Sequence, residues 1–160
     1  MNQAYKPLPS VRLLNEIFKL QNGKLVWRID RGGKAKAGTL AGSPNKEGRL
    51  AVKVLGSTYY VHRIIWAIAN ESDPGNFQVD HIDGDHTNNN PSNLRLATHA
   101  ENIWNRPARG YSWHKRLQRY QVKVTRNGKS VHIGTFKSKI EARNAYLAAI
   151  RQYHGEFACA

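Results

Sequence analysis

The chain of 160 residues has the length of one domain or two small ones. Its 25 Lys+Arg against 11 Asp+Glu leave a formal net charge of +14, which points to a polyanionic partner. A 40% share of hydrophobic residues is enough for a modest core and excludes wholesale disorder, while no apolar run approaches the roughly 18 residues of a membrane span. Met1-Asn2-Gln3-Ala4-Tyr5-Lys6 does not read as a signal peptide, and the single cysteine, Cys159, excludes a disulfide framework or Cys-x-x-Cys zinc ribbon and suits a reducing cytoplasm.

Residues 1–60 read as short strands joined by loops, with Leu25–Ile29 and Arg49–Val54 as the candidates. A polar, Gly/Lys-rich loop from Arg31 to Gly48 separates them. Within it, Gly33 and Gly38 have the spacing of a phosphate-binding P-loop, but Thr39 stands where that loop requires lysine, so the match fails. From Tyr59 to Ala69 the apolar residues Tyr60, Ile64, Ile65, Ala67 and Ile68 suit a helix, with His62 and Arg63 on its polar side.

A polar, Asn-rich block follows. Val79, Ile82, Leu94 and Leu96 are its apolar anchors, and nearly everything between them forms turns, so two short strands joined by a long loop are expected. Thr98-His99-Ala100-Glu101 is a capping box that starts a helix, placing Asn102 on its first turns. Asp80 and Asn102 then supply hard oxygen ligands and His81 an imidazole. Those groups suit a Mg²⁺ or Mn²⁺ ion beside a general base, the parts needed to hydrolyse a phosphodiester. Taken singly, His81 reads as a loop histidine and Asp83 and Asp85 as turn formers. An EF-hand reading of Asp80, Asp83 and Asp85 fails because Pro91 stands where a glutamate is needed.

The set Asp80-His81-Ile82-Asp83-Gly84, Asn93-Leu94-Arg95 and Thr98…Glu101-Asn102 resembles the HNH endonucleases, of the Asn-terminated type found in phage and intron-encoded homing enzymes. The preceding run Tyr59 to Trp66 resembles the helix leading into that motif, and the likeness covers roughly residues 15–106. It implies that Asp80 and Asn102 hold one divalent ion, Mg²⁺ or Mn²⁺, that His81 is the general base, and that Asn93 holds the loop and orients His81. No structural zinc is expected. His86 and His99 match no catalytic position of that family and read as phosphate contacts or plain surface.

Beyond a Pro107-Ala108-Arg109-Gly110 joint the charge concentrates: residues 103–160 carry 12 Lys+Arg against 2 Asp+Glu. Tyr120 to Thr125 alternates strictly, Asn127-Gly128 forms a hairpin turn, and Ser130–Ile133 returns as the partner strand. Ser138…Glu141 is a second capping box, opening a helix with the stripe Ala142, Ala145, Tyr146, Ala149, Ile150 and Tyr153 and closing at Gly155. Gly110-Tyr111-Ser112-Trp113, Ile133-Gly134-Thr135-Phe136 and Gly155-Glu156-Phe157 resemble the AP2/ERF DNA-binding domain, a three-stranded sheet that lies in the major groove. Arg109, Trp113, Lys115, Arg116, Gln121, Lys123, Thr125 and His132 are the candidate DNA contacts, with a core position as the alternative for Trp113.

The expected fold is α+β: a ββα-metal (His-Me finger) HNH module over 1–106 and a small sheet-and-helix AP2-like domain over 107–160. The expected activity is metal-dependent cleavage of double-stranded DNA by a monomer or dimer in the cytoplasm of a bacterial or phage-infected cell, without membrane or small-molecule cofactor. Two rival functions remain, a non-enzymatic DNA-binding protein and an RNA-directed one.

Overall fold

The structure is a computed structural model that describes residues 6–33 and 35–158. Met1–Tyr5 and Cys159, with the signal-peptide and thiol readings that rest on them, lie outside the described residues. Two compact units divide the chain, one up to His99 and one from Ala100. The fold mixes helices and strands in both.

The first unit opens with α1 (Val11–Ile17), capped by Ser10, whose hydroxyl accepts from the Leu13 N–H. The sequence pattern missed this helix and also β1 (Phe18–Gln21), which pairs with β2 (Lys24–Trp27). The signal for β1 was present: Asn22-Gly23 takes φ of 51° and 69°, the left-handed pair of a two-residue hairpin turn. The loop expected over 31–48 holds one short strand, β3 (Ser43–Pro44), at the edge of a sheet with β4 (Leu50–Val54) and β5 (Ser57–Tyr60). Tyr59 and Tyr60 therefore end a strand, and α2 runs Val61–Asn70.

α2 is the centre of the unit. Val61, Ile64, Ile65 and Ala67 are buried against Leu14, Phe18, Leu25 and Val54. His62, placed by its pattern on the polar side, is buried too, at 6% exposure. Arg63 reaches out from the same helix, donating to the carbonyls of Phe77 and Gly75 at 2.7 and 3.0 Å. Those bonds tie α2 to the segment leading into β6 (Gln78–His81), which pairs antiparallel with β7 (Leu94–Ala97) across the long polar loop.

α3 (His99–Trp104) starts directly after Thr98, so the element order β6–β7–α3 is ββα. The remainder of the second unit is a sheet of β8 (Tyr111–His114), β9 (Arg119–Arg126) and β10 (Lys129–Phe136) in the order β10–β9–β8, followed by α4 (Lys139–His154). The Ser138–Glu141 capping box is present, and α4 ends at Gly155. Val124 packs with Ala149 and Ile150.

Candidate functional site

Strand β6 brings two polar residues to buried positions in succession. Asp80 is 6% exposed and His81 5%, unusual for side chains of this kind unless each is paired. The hairpin register sets Asp80 opposite Arg95, whose Nε and Nη2 both lie 3.0 Å from Asp80 Oδ2. The His81 ring meets Asn89, with Nε2 2.9 Å from Oδ1. Because the amide oxygen can only accept, Nε2 carries the proton and Nδ1 is the basic nitrogen of the ring.

A second imidazole stands beside the first. The His62 ring lies 5.1 Å from that of His81, edge to face, and the Tyr60 ring stacks on it at 5.4 Å. Burial, with smaller contributions from the charges of His81, Arg49 and Arg63, lowers the His62 pKa from 6.5 to about 3. His62 is thus neutral at ordinary pH.

The loop between β6 and β7 is held by its own side chains. Asn93 Nδ2 donates to Asp83 Oδ1 at 2.9 Å and to the Asn88 carbonyl at 2.8 Å, and its Oδ1 accepts from the Asp83 N–H at 3.1 Å. The Asn93 bond, aided by Asn88 and the Asp85 N–H, holds the Asp83 carboxyl below its ordinary pKa. Asp85 is lowered likewise, by Thr87 N–H and hydroxyl. Asn93 thus latches the loop and fixes the residue before Asn89, while Asn89 makes the hydrogen bond to His81.

Asn102 lies half-buried on α3, in the unit that begins at Ala100. Among the described residues no group of three or more His, Cys, Asp or Glu side chains is placed to hold a metal. Asp80 in the first unit and Asn102 in the second each offer a side-chain oxygen, a donor type suited to a hard divalent cation rather than to zinc. His86 is half-buried near Gly48, and His99 Nδ1 is 3.2 Å from Gln78 Nε2.

In the second unit, register sorts the candidate DNA contacts. Gln121, Lys123 and Thr125 face opposite Val122 and Val124, and His132 pairs with Lys123, so these four share the polar face of the sheet. Arg119 and Ser112 belong to the same face, and Arg119 was not singled out from the pattern. Trp113 pairs with Tyr120 and so stands on the other face, with Val122 and Val124, although it is 48% exposed. A single-strand alternation cannot tell which face a neighbouring strand presents, so the face of Trp113 follows only from the β8–β9 register. Lys115 and Arg116 lie exposed in the β8–β9 turn, and Arg109 sits over the Tyr111 ring.

Three neighbours of Asp80 and His81 escaped the sequence reading. Asn89 is one of three consecutive asparagines that no pattern distinguishes. His62 sits at the edge of the apolar stripe, and Arg95 becomes a partner of Asp80 only once the hairpin register is known.

Residues 59–103 match the family model described as HNH endonuclease. Protein 3.8 of Escherichia phage T7 is 33% identical over 105 residues, covering 61% of this chain and 86% of that protein. An uncharacterised HNH endonuclease of Acanthamoeba polyphaga mimivirus is 32% identical over 102 residues, 61% of this chain, and the chain spans 54% of that longer protein. Among solved structures, the HNH homing endonuclease I-HmuI, described for DNA binding and cleavage, aligns over 91% of this chain and 90% of its own at 22% identity, with a TM-score of 0.46.

Proposed function

Because the chain belongs to the HNH endonuclease family, we propose that it is a metal-dependent DNA endonuclease of the homing type, with an AP2/ERF-like DNA-binding domain joined to its nuclease module. The observation that carries this reading is the buried Asp80–His81 pair on β6, its imidazole bonded to Asn89, inside the segment that matches the family model. The nuclease module is assigned to 1–106 and the DNA-binding domain to 107–160, acting in the cytoplasm of a bacterial or phage-infected cell.

In this reading Asp80 and Asn102 hold a divalent ion, Mg²⁺ or Mn²⁺. When bound, the ion supplies charge stabilisation for the phosphate oxygens and the leaving oxygen. Asn89 fixes the tautomer of His81. His81 Nδ1 accepts a proton from a water molecule, and the resulting hydroxide attacks phosphorus. The P–O3′ bond breaks, the electron pair leaves on O3′, and protonation gives a 3′-hydroxyl and a 5′-phosphate. Arg95 balances the Asp80 charge while the carboxylate is buried. The polar face carrying Gln121, Lys123, Thr125 and His132, with Arg109, Lys115 and Arg116, is assigned to DNA: phosphate contacts position the duplex and base-edge contacts discriminate.

Purified protein with Mg²⁺ or Mn²⁺ is expected to convert supercoiled plasmid carrying a suitable target to nicked or linear DNA, and chelation to stop it. His81→Ala should abolish cleavage while DNA is still retained at a fixed salt concentration. Cleavage by the variant at the parent rate overturns the assignment of the base.

A further inference from the structure

The second unit anchors α3 through a contact with no part in the chemistry above. Six residues are too few for a helix to persist alone in water, and none of the six in α3 is buried. One side of it, Ala100, Ile103 and Trp104 at i, i+3 and i+4, lines a crevice of about 500 Å³ together with Val124, Tyr146 and His154. The Trp104 indole lies flat on the His154 imidazole, ring centroids 4.3 Å apart and planes 3° from parallel. His154 is itself fixed. It ends α4, is 9% exposed, and its Nε2–H donates to the Thr125 carbonyl of β9 at 2.9 Å. At about 100° per residue, Asn102 falls on the opposite side of α3 from Ala100, Ile103 and Trp104.

We propose that Trp104 and His154 are positioning residues for Asn102. A flat ring stack on a hydrogen-bonded imidazole fixes both the rotation and the axial register of α3, and with them the place of the amide that the other side of the helix presents. Neither residue is among those assigned above to the ion or to DNA. The proposal rests on the assignment of Asn102 as a metal ligand.

The test is Mn²⁺ binding to the full chain, followed by electron paramagnetic resonance of the unbound ion and by urea unfolding of every variant. Trp104→Leu keeps an apolar filler and removes the stack; His154→Ala removes its other half. Each is expected to weaken Mn²⁺ binding about fivefold, or about 1 kcal/mol, in a chain that still unfolds cooperatively. Trp104→Phe, which keeps a stacking ring, should stay within about twofold of the parent. Parent-level Mn²⁺ affinity in folded Trp104→Leu, or equal weakening by Leu and Phe, overturns the positioning role. Asn102→Ala separates the two layers. If it binds Mn²⁺ like the parent, the ligand assignment fails and the positioning role with it. If it loses affinity while Trp104→Leu does not, the positioning role alone fails.

Discussion

Single residues in and beside the β6 hairpin do unequal work, and their surroundings decide how. His62 is an imidazole that burial keeps neutral, with a pKa lowered to about 3 in the folded chain against 6.5 when exposed. The unfolded chain therefore binds this proton first as pH falls. The stability that His62 contributes is complete above pH about 6.5 and drains away toward pH about 3, at up to about 1.4 kcal/mol per pH unit. Urea midpoints at several values between pH 7 and pH 4 should show a shallower acid loss for His62→Gln than for the parent. Asn89 acts instead through a tautomer. Asn89→Ala removes the acceptor that keeps the proton on Nε2 of His81. Turnover on plasmid DNA is expected to fall by about 10- to 100-fold with DNA affinity unchanged.

At the scale of elements, short pieces are stabilised mainly by what they pack against. α4 is self-sufficient at its start, where Ser138 and Glu141 satisfy each other's backbone groups. The sheet beneath it has a tighter constraint. Gly110, just before β8, has φ of 79°, and a Cβ there would lie 2.1 Å from the Tyr146 ring. Gly110→Ala thus adds both left-handed strain and an overlap with a half-buried ring. A loss of about 2–4 kcal/mol is expected, read as a lower urea midpoint, with reduced DNA retention following from it.

Over the whole molecule, charge is distributed unevenly. From Ala100 onward there are 12 Lys+Arg against 3 Asp+Glu, whereas residues 1–99 carry 13 against 8. A duplex held by the second unit should be released steeply by salt, because each neutralised phosphate returns a condensed counterion. Lys123→Ala is expected to lower the slope of log affinity against log salt by about 1, measured by retention on one duplex over a range of salt. An unchanged slope would take Lys123 off the phosphate backbone.

The amino-acid sequence by itself determined the class of chemistry and most of the elements. The Ser138–Glu141 capping box and Asn127-Gly128 are local signals, because caps and turns are satisfied within a few residues of chain. The β6–β7 hairpin and the three-stranded sheet with its helix were legible for the same reason. Tertiary structure alone decided which neighbours the functional groups meet. The Asp80–Arg95 pair depends on hairpin register, the burial of His62 on strands packed against α2, and the selection of Asn89 from three identical asparagines on how the loop closes. The face on which Trp113 stands follows from the pairing of β8 with β9. Those outcomes turn on contacts between residues far apart in the chain, and periodicity within one segment carries no record of its partner.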